Sequence, residues 1–134
     1  MCLSEIQLER VKKVYSKIKG DKITNHFHLT VGNEKSTNLP NDKFDKVILN
    51  MVLHHFTFQT EMLADIKKII KKDGKLFVME AIIPQDKLSK FPCNYYSNQK
   101  QLLELVEQNG FELQNKEEVF SGSGTWAFIF GVKK

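Results

Sequence analysis

Two adjacent histidines, His54 and His55, are the side chains of this sequence best suited to chemistry. An imidazole titrates near neutral pH, so such a pair could orient a substrate or accept and return a proton. A structural alternative stays open, in which one ring caps the following helix and the other packs among neighbours. Glu80 follows an apolar run and could reach the same cleft, or it could form an ion pair with a lysine.

The histidines and cysteines do not form a metal-binding pattern. His26 and His28 share one face of a predicted strand, but the spacing typical of structural zinc sites is missing. The adjacent histidine pair would point apart in an extended backbone. Cys2 and Cys93 are too few for a disulfide framework. We therefore expect no metal, and a reducing, cytoplasmic location.

The first part of the chain predicts one helix and one strand. Apolar residues recur at helical spacing from Leu8 to Ile18, which indicates a helix over residues 4–19. Imperfect alternation of apolar and polar residues indicates a strand over 23–31.

The central part predicts a strand, a helix and a second strand. Lys46 to Leu53 is a short apolar run, which is typical of a strand buried on both faces. A helical pattern over 59–72 ends at Asp73-Gly74, and a second buried strand follows over 76–83. Pro84 to Tyr96 is predicted to be a loop.

The C-terminal part predicts a helix and a hairpin. Ser97 is placed to cap a helix that ends at Asn109-Gly110. Two strands follow, at Phe111–Val119 and Trp126–Val132. The Ser121–Gly124 turn between them favours an antiparallel pair.

Strands that alternate with helices predict an α/β domain with a mostly parallel sheet and a C-terminal antiparallel hairpin. The length of 134 residues indicates a single domain, 1–134. The net charge is +4, but only Arg10 is an arginine, so we do not expect nucleic acid as a partner. The sequence has no apolar run of about 18 residues and no apolar signal region, so we expect neither a membrane span nor secretion.

A series of short motifs carries a family resemblance. They are Leu39-Pro40, then KFDKVI at 43–48, then VLHHF at 52–56, then IKKIIKKDGKLFVME at 66–80. In this order and spacing they resemble the second half of a class I S-adenosylmethionine-dependent methyltransferase of the type 11 kind. Ser4 to Glu9 is similar to the helix after the family's second strand, and Asn109-Gly110-Phe111 to the step into its final hairpin.

The resemblance implies a Rossmann-like sheet, S-adenosylmethionine as cofactor and a small-molecule methyl acceptor. Ligands of open α/β sheets bind outside the carboxyl ends of the strands. On this basis Asn50, Met51 and Leu53 would lie near the methionine end, and the resemblance implies that Asn33 or Glu34 lies near the adenine. Asn50 could instead simply end its strand.

The resemblance also assigns residues to the acceptor side. His54 and His55 become candidate catalytic residues, and Glu80, Tyr95 and Tyr96 candidate substrate-binding residues. Transfer from a sulfonium needs mainly proximity and alignment, so a base is not strictly required. The two tyrosines, with Phe91 nearby, could instead pack over an apolar edge.

The sequence departs from the family pattern at its start. The first strand and the glycine-rich loop, which brings backbone N–H groups to the cofactor, have no counterpart. Cys2 stands where the family usually has an acidic residue for the ribose. The predicted strand at 46–50 would then have an open edge. Strand 23–31, a second copy of the chain, or a missing N-terminal segment could cover it.

Two functions therefore remain open from the sequence. The working hypothesis is an enzyme that transfers a methyl group from S-adenosylmethionine to an unidentified small molecule. The alternative is a truncated or degenerate methyltransferase fold that does not bind the cofactor and associates through its open sheet edge, for example as a homodimer.

Overall fold

The computed structural model describes residues 10, 13, 28, 30–91 and 95–134. The helix predicted over 4–19 lies outside the described residues except for Arg10 and Lys13. The strand predicted over 23–31 also lies largely outside them, and its described positions 28, 30 and 31 are not in a strand. Cys2 and Cys93 are likewise not described.

The described part of the chain forms four strands and two α-helices. In chain order they are β1 (Phe44–Asn50), α1 (Gln59–Ile69), β2 (Ile70–Ala81), α2 (Gln99–Gln108), β3 (Phe111–Glu118) and β4 (Thr125–Val132). Short 3-10 helices lie at Leu53–His55 and Gln85–Lys90, the second of them inside the predicted loop.

The strands form one sheet in the order β1-β2-β4-β3. β1 and β2 are parallel, and the β2–β4 and β3–β4 pairs are antiparallel. The predicted α/β domain with a C-terminal hairpin is confirmed. The Glu118 carboxylate fixes the hairpin turn, because it accepts hydrogen bonds from the backbone N–H groups of Gly122 and Gly124.

Helix α1 ends earlier than predicted, and β2 starts six residues before the predicted strand. The reason is that Lys68 O and Ile69 O accept hydrogen bonds from the backbone at residues 42 and 43, where the chain enters β1. A register shift follows between β1 and β2, and Gly74 lies within it. A Cβ on Gly74 would lie 3.0 Å from Asp45 O, so the bulge requires a residue without a side chain.

Helix α2 is capped by Asn98 and not by Ser97 as predicted. Asn98 Oδ1 accepts a hydrogen bond of 3.0 Å from the Gln101 N–H, whereas the Ser97 N–H donates to the Gln101 side chain. Both polar residues are thus used at the helix start, with their roles shifted by one position. Among the described residues, no helix has the length and apolar character needed to cross a bilayer.

The main core lies between the sheet and the two helices. Alternate residues of β2 and β4 contribute Leu76, Val78, Phe128 and Phe130, all at most 1% exposed. Buried side chains of the helices complete the cluster, including Leu63, Ile66, Leu102 and Val106. Since side chains alternate along a strand, the next β2 residue on this buried face is Glu80. The core packing therefore forces a carboxylate into the interior at the end of β2.

Candidate functional site

The carboxyl ends of β1 and β2 lie side by side, because the two strands are parallel. Asn50, the last residue of β1, is exposed and stands opposite Met79. The Met51 N–H donates a 2.9 Å hydrogen bond to Met79 O. Met51 then turns the chain away from the sheet with a φ of 56°, a left-handed conformation that is uncommon for a residue with a side chain.

The 3-10 turn that follows brings one histidine into the interior. Leu53 is fully buried in the core, and His54 is only 3% exposed. The His54 N–H donates a 3.1 Å hydrogen bond to Glu80 Oε1, and His54 Nδ1 lies 2.6 Å from Glu80 Oε2. A single buried carboxylate therefore holds both the backbone and the ring of His54.

Burial acts on the charge of this carboxylate. Glu80 has no exposed surface, and its burial raises the pKa of the carboxyl group, while the neighbouring His54 opposes that rise. With Nδ1 protonated, the ring donates to Glu80 and leaves Nε2 as its proton-accepting nitrogen. Carboxylate–imidazole pairs of this kind fix the tautomer and orientation of a histidine ring.

Aromatic rings surround His54. Tyr95 stacks on it at a centroid distance of 4.0 Å and an interplanar angle of 23°, and His55 lies 4.0 Å away and tilted. Phe91 meets Tyr95 edge-on at 5.2 Å. Burial, and then the neighbouring His54, lower the pKa of His55, which favours a neutral ring.

Two ring nitrogens in this cluster are buried without a hydrogen-bond partner among the described residues. They are His54 Nε2 and His55 Nδ1. A buried polar atom without a partner typically costs about 1–3 kcal/mol. Such atoms are rare in folded proteins, and each calls for an explanation such as a ligand or a catalytic role.

Tyr96 is linked to the histidine turn through Gln59. Its hydroxyl accepts a 2.8 Å hydrogen bond from Gln59 Nε2, which also donates to Leu53 O at 3.0 Å. Burial, and then the charge of Glu80, raise the pKa of the Tyr96 phenol. Gln59 thus connects the start of α1 to the histidine turn and to Tyr96. No sequence motif distinguishes Gln59, since nothing in the local pattern marks the first residue of a helix as a connector.

The structure brings together most of the predicted acceptor-side residues. His54 touches Glu80, Tyr95 and His55, and Tyr96 is joined to the same turn through Gln59. Glu80 contacts His54 with both carboxylate oxygens, so its direct contact with a substrate stays a prediction. The predicted cofactor roles of Asn50, Met51 and Leu53 also stay predictions. They lie on the same stretch of chain, and Leu53 offers only its main chain because its side chain is buried.

The predicted adenine contacts lie on a separate turn. Asn33 Oδ1 accepts a hydrogen bond from the Lys35 N–H, and the Asn33 N–H donates to Ser36 O. Lys35 Nζ lies 4.5 Å above the Phe58 ring, which places this turn beside the start of α1. Glu34 is exposed at its tip. Contacts of Asn33 and Glu34 with a cofactor stay predictions.

Asp65 of α1 ties the following residues to the helix. Its Oδ2 accepts hydrogen bonds from the Thr37 N–H at 2.8 Å and from the Thr37 hydroxyl at 2.7 Å.

Within the described ranges, no group of three or more His, Cys, Asp or Glu side chains is arranged to hold a metal ion.

Comparison with known proteins gives a family match. A family model described as a methyltransferase domain matches residues 1–78, which is more than half of the chain. No curated protein sequence matches this chain.

Solved structures share the fold at low sequence identity. A 1,6-didemethyltoxoflavin-N1-methyltransferase from Burkholderia thailandensis, with 1,6-didemethyltoxoflavin and S-adenosylhomocysteine bound, matches with a TM-score of 0.70 and 14% identity over 92% of this chain and 56% of its own. A SAM-dependent methyltransferase from Methanosarcina mazei matches with a TM-score of 0.61 and 12% identity, over 78% of this chain and 67% of its own. A SAM-dependent methyltransferase from Aquifex aeolicus matches with a TM-score of 0.65 and 17% identity, over 92% of this chain and 59% of its own.

This chain thus spans 56% to 67% of the length of these three proteins. At such identities the likeness establishes the fold alone.

Proposed function

Because the chain belongs to the class I S-adenosylmethionine-dependent methyltransferase domain family, we propose that it transfers a methyl group from S-adenosylmethionine to a small-molecule acceptor. The observation that carries the proposal is the histidine cluster at the carboxyl ends of β1 and β2. There, His54 Nε2 and His55 Nδ1 are buried without partners among the described residues. Ligands of open α/β sheets bind at this edge.

The residues at this edge fit the methionine end of the cofactor. The exposed Asn50 amide can both donate and accept hydrogen bonds, as an amino acid's ammonium and carboxylate groups require. The left-handed turn at Met51 redirects the chain directly beyond the strand end. Asn50 and Met51 would hold this part of the cofactor, and Asn33 or Glu34 the adenine.

The bound cofactor would supply a methyl group on a positively charged sulfonium. The chain's own residues would orient the acceptor and exclude water. Tyr95, with Phe91 beside it, provides an aromatic wall, and the two unpartnered histidine nitrogens provide polar contacts. Alignment of the two reactants alone can supply a large part of the rate enhancement of such a transfer.

Calorimetric titration of the chain with S-adenosylhomocysteine tests this proposal. We expect a dissociation constant in the micromolar range, equivalent to about −8 kcal/mol. Asn50→Ala should weaken binding about tenfold, or about 1.4 kcal/mol. Asn115→Ala on β3 is the matched control and should leave affinity unchanged, because β3 forms the opposite edge of the sheet. Absence of heat from the folded wild-type chain would overturn the proposal.

A second candidate function, association without the cofactor, is favoured by the outer edge of β1. In the part of the chain that the structure describes, β1 pairs with β2 alone and lies at the sheet edge. Ile48 of β1 is 67% exposed. Unpaired strand edges are templates for pairing with another chain, so a second copy of this chain could add its β1 there.

A further inference from the structure

The buried Nε2 atom of His54 is, in the described part of the chain, one of two unpartnered ring nitrogens in the site, the other being His55 Nδ1. It has no partner among the described residues, although the rest of the ring is held tightly. His54 donates its backbone N–H to Glu80 Oε1, and its Nδ1 lies 2.6 Å from Glu80 Oε2. A buried ring nitrogen of this kind can bond an ordered water or a group of a bound substrate.

The Glu80 carboxylate determines what this contact can be. Because a carboxylate only accepts hydrogen bonds, it keeps the ring proton on Nδ1 and leaves Nε2 with a free lone pair. It also stabilises the imidazolium that forms when Nε2 takes up a proton. Nε2 is therefore prepared to accept a proton from a group beside it.

The walls of the cluster indicate the shape of that group. Tyr95 stacks on one side of His54, and Phe91 meets Tyr95 edge-on. Phe91 is 40% exposed, so part of this aromatic surface is open to a ligand. Aromatic surfaces favour planar ring systems in stacked or edge-on contact.

We propose that His54, positioned by Glu80, is the proton acceptor for methyl transfer to a phenolic hydroxyl group. This inference rests on the proposed function and names its substrate class. In the step, the phenol oxygen attacks the methyl carbon, an O–C bond forms and the S–C bond breaks. The phenol proton moves to His54 Nε2. The neutral thioether and the aryl methyl ether leave, and the imidazolium returns its proton to solvent.

Among the described residues, four titratable groups lie around His54. These are Glu80 from β2, His55 from the same turn, Tyr95 from the loop before α2, and Tyr96 beyond Glu80.

NMR of the histidine ring nitrogens tests the His54–Glu80 pair without relying on activity. In the wild-type chain at pH 7.5, we expect a protonated Nδ1 and an unprotonated Nε2 on His54. The signals are assigned from their loss in His54→Gln. A protonated Nε2 in the wild type would overturn the proposal.

Glu80→Gln should reverse this tautomer. The His54 backbone N–H is a fixed donor and needs an oxygen as its acceptor. The amide oxygen of the glutamine therefore takes that place, and its NH₂ group faces Nδ1. Nδ1 must then accept, and the ring proton moves to Nε2, where it blocks proton uptake. Glu104→Gln is the matched control. It removes one carboxylate charge from an exposed position of α2 and should leave the spectrum unchanged.

Two phenols separate proton acceptance from binding. With p-cresol, whose hydroxyl has a pKa near that of tyrosine at about 10, His54→Gln should lower kcat/KM about 100-fold. With 4-nitrophenol, assayed like p-cresol at pH 8.5, where it is almost fully ionised, the loss should be less than about threefold. Equal losses with both probes, or methylation of neither by a wild-type chain that binds S-adenosylhomocysteine, would overturn the phenol assignment. A chain that does not bind S-adenosylhomocysteine contradicts the proposed function instead.

Discussion

His54 Nδ1 lies 2.6 Å from Glu80 Oε2, and the two side chains together have almost no exposed surface. The residues are separated by 26 positions in sequence, and the parallel pairing of β1 and β2 brings them together. The short turn after β1 and the alternation of side chains along β2 point both groups into the same interior. The contact is thus a direct consequence of the sheet topology.

Removing the Glu80 carboxylate should destabilise the fold. Glu80→Ala leaves the His54 N–H and Nδ1 without their acceptor in a buried site, so we expect the free energy of unfolding to fall by about 3 kcal/mol. Urea denaturation at pH 7 measures the change. Glu104→Ala, at an exposed helix position, should cost less than about 0.5 kcal/mol. Equal effects of the two substitutions would show that the buried contact contributes nothing.

His55 should make stability depend on pH near neutrality. Its pKa is lowered in the folded chain, first by burial and then by His54, so below pH 6.5 the unfolded chain binds the proton more readily. The stability that the neutral His55 ring contributes to the fold is complete above pH 6.5 and is lost as the pH falls. The difference in unfolding free energy between wild type and His55→Gln should therefore shrink from pH 8 to pH 5.

Urea denaturation at several pH values measures this difference. His28→Gln controls for the loss of an imidazole, since His28 is exposed. A difference between wild type and His55→Gln that grows towards pH 5 would contradict the burial of a neutral His55 ring.

Tyr96 should make the stability of the fold depend on pH in the alkaline range. Burial, and then Glu80, raise the pKa of its phenol, so above pH 10 the unfolded chain loses this proton while the folded chain keeps it. The stability contribution is complete below pH 10 and declines as the pH rises above it. Relative to Tyr96→Phe, the wild type should lose unfolding free energy between pH 9 and 11.

At pH 7 the Tyr96→Phe variant should be about 1 kcal/mol less stable, because it lacks the hydrogen bond from Gln59. Thermal and urea unfolding of both proteins measure the two effects. Identical alkaline profiles for wild type and variant would show that Tyr96 ionises as freely in the folded chain as in the unfolded one.

The exposed edge of β1 predicts concentration-dependent self-association. Sedimentation velocity of the wild-type chain should show a dimer that dissociates on dilution, and Ile48→Lys should shift the equilibrium to monomer. Phe120→Lys is the matched control, since Phe120 is 73% exposed and lies outside β1, after the end of β3. A monomer at every concentration would contradict association through β1.

The elements were largely predictable from the sequence because their signals are local. The apolar run from Lys46 to Leu53, the periodicity of α1 and the Ser121–Gly124 turn each predicted an element that the structure has. The predicted burial of the first strand on both faces is wrong, because most of β1 is exposed and Leu49 is its one buried residue. The end of α1 was not predictable, because residues 42 and 43 take up its last carbonyls from a distant part of the chain. The cap of α2 was misplaced by one residue because Ser97 and Asn98 are both good capping residues.

The site was predictable in its members but less so in its contacts. The chemistry of imidazole distinguishes the histidine pair, and the family pattern points to the loop tyrosines. That Glu80 is fully buried follows from its register with Leu76 and Val78, a signal present in the sequence. The double contact of Gln59 with Leu53 and Tyr96 depends on how α1 packs against the sheet, which no local pattern encodes.

The most direct test of a cofactor site at the carboxyl ends of β1 and β2 is an NMR titration of the chain with S-adenosylhomocysteine. We expect the largest amide shift changes at residues 50–55, with smaller ones at 80–82 and 95–96. The amides of residues 111–113 should stay unchanged, because the start of β3 lies at the opposite end of the sheet. A titration that shifts no amide, or shifts only those near the far ends of α1 and α2 such as Lys67 and Gly110, would contradict a cofactor site at this edge.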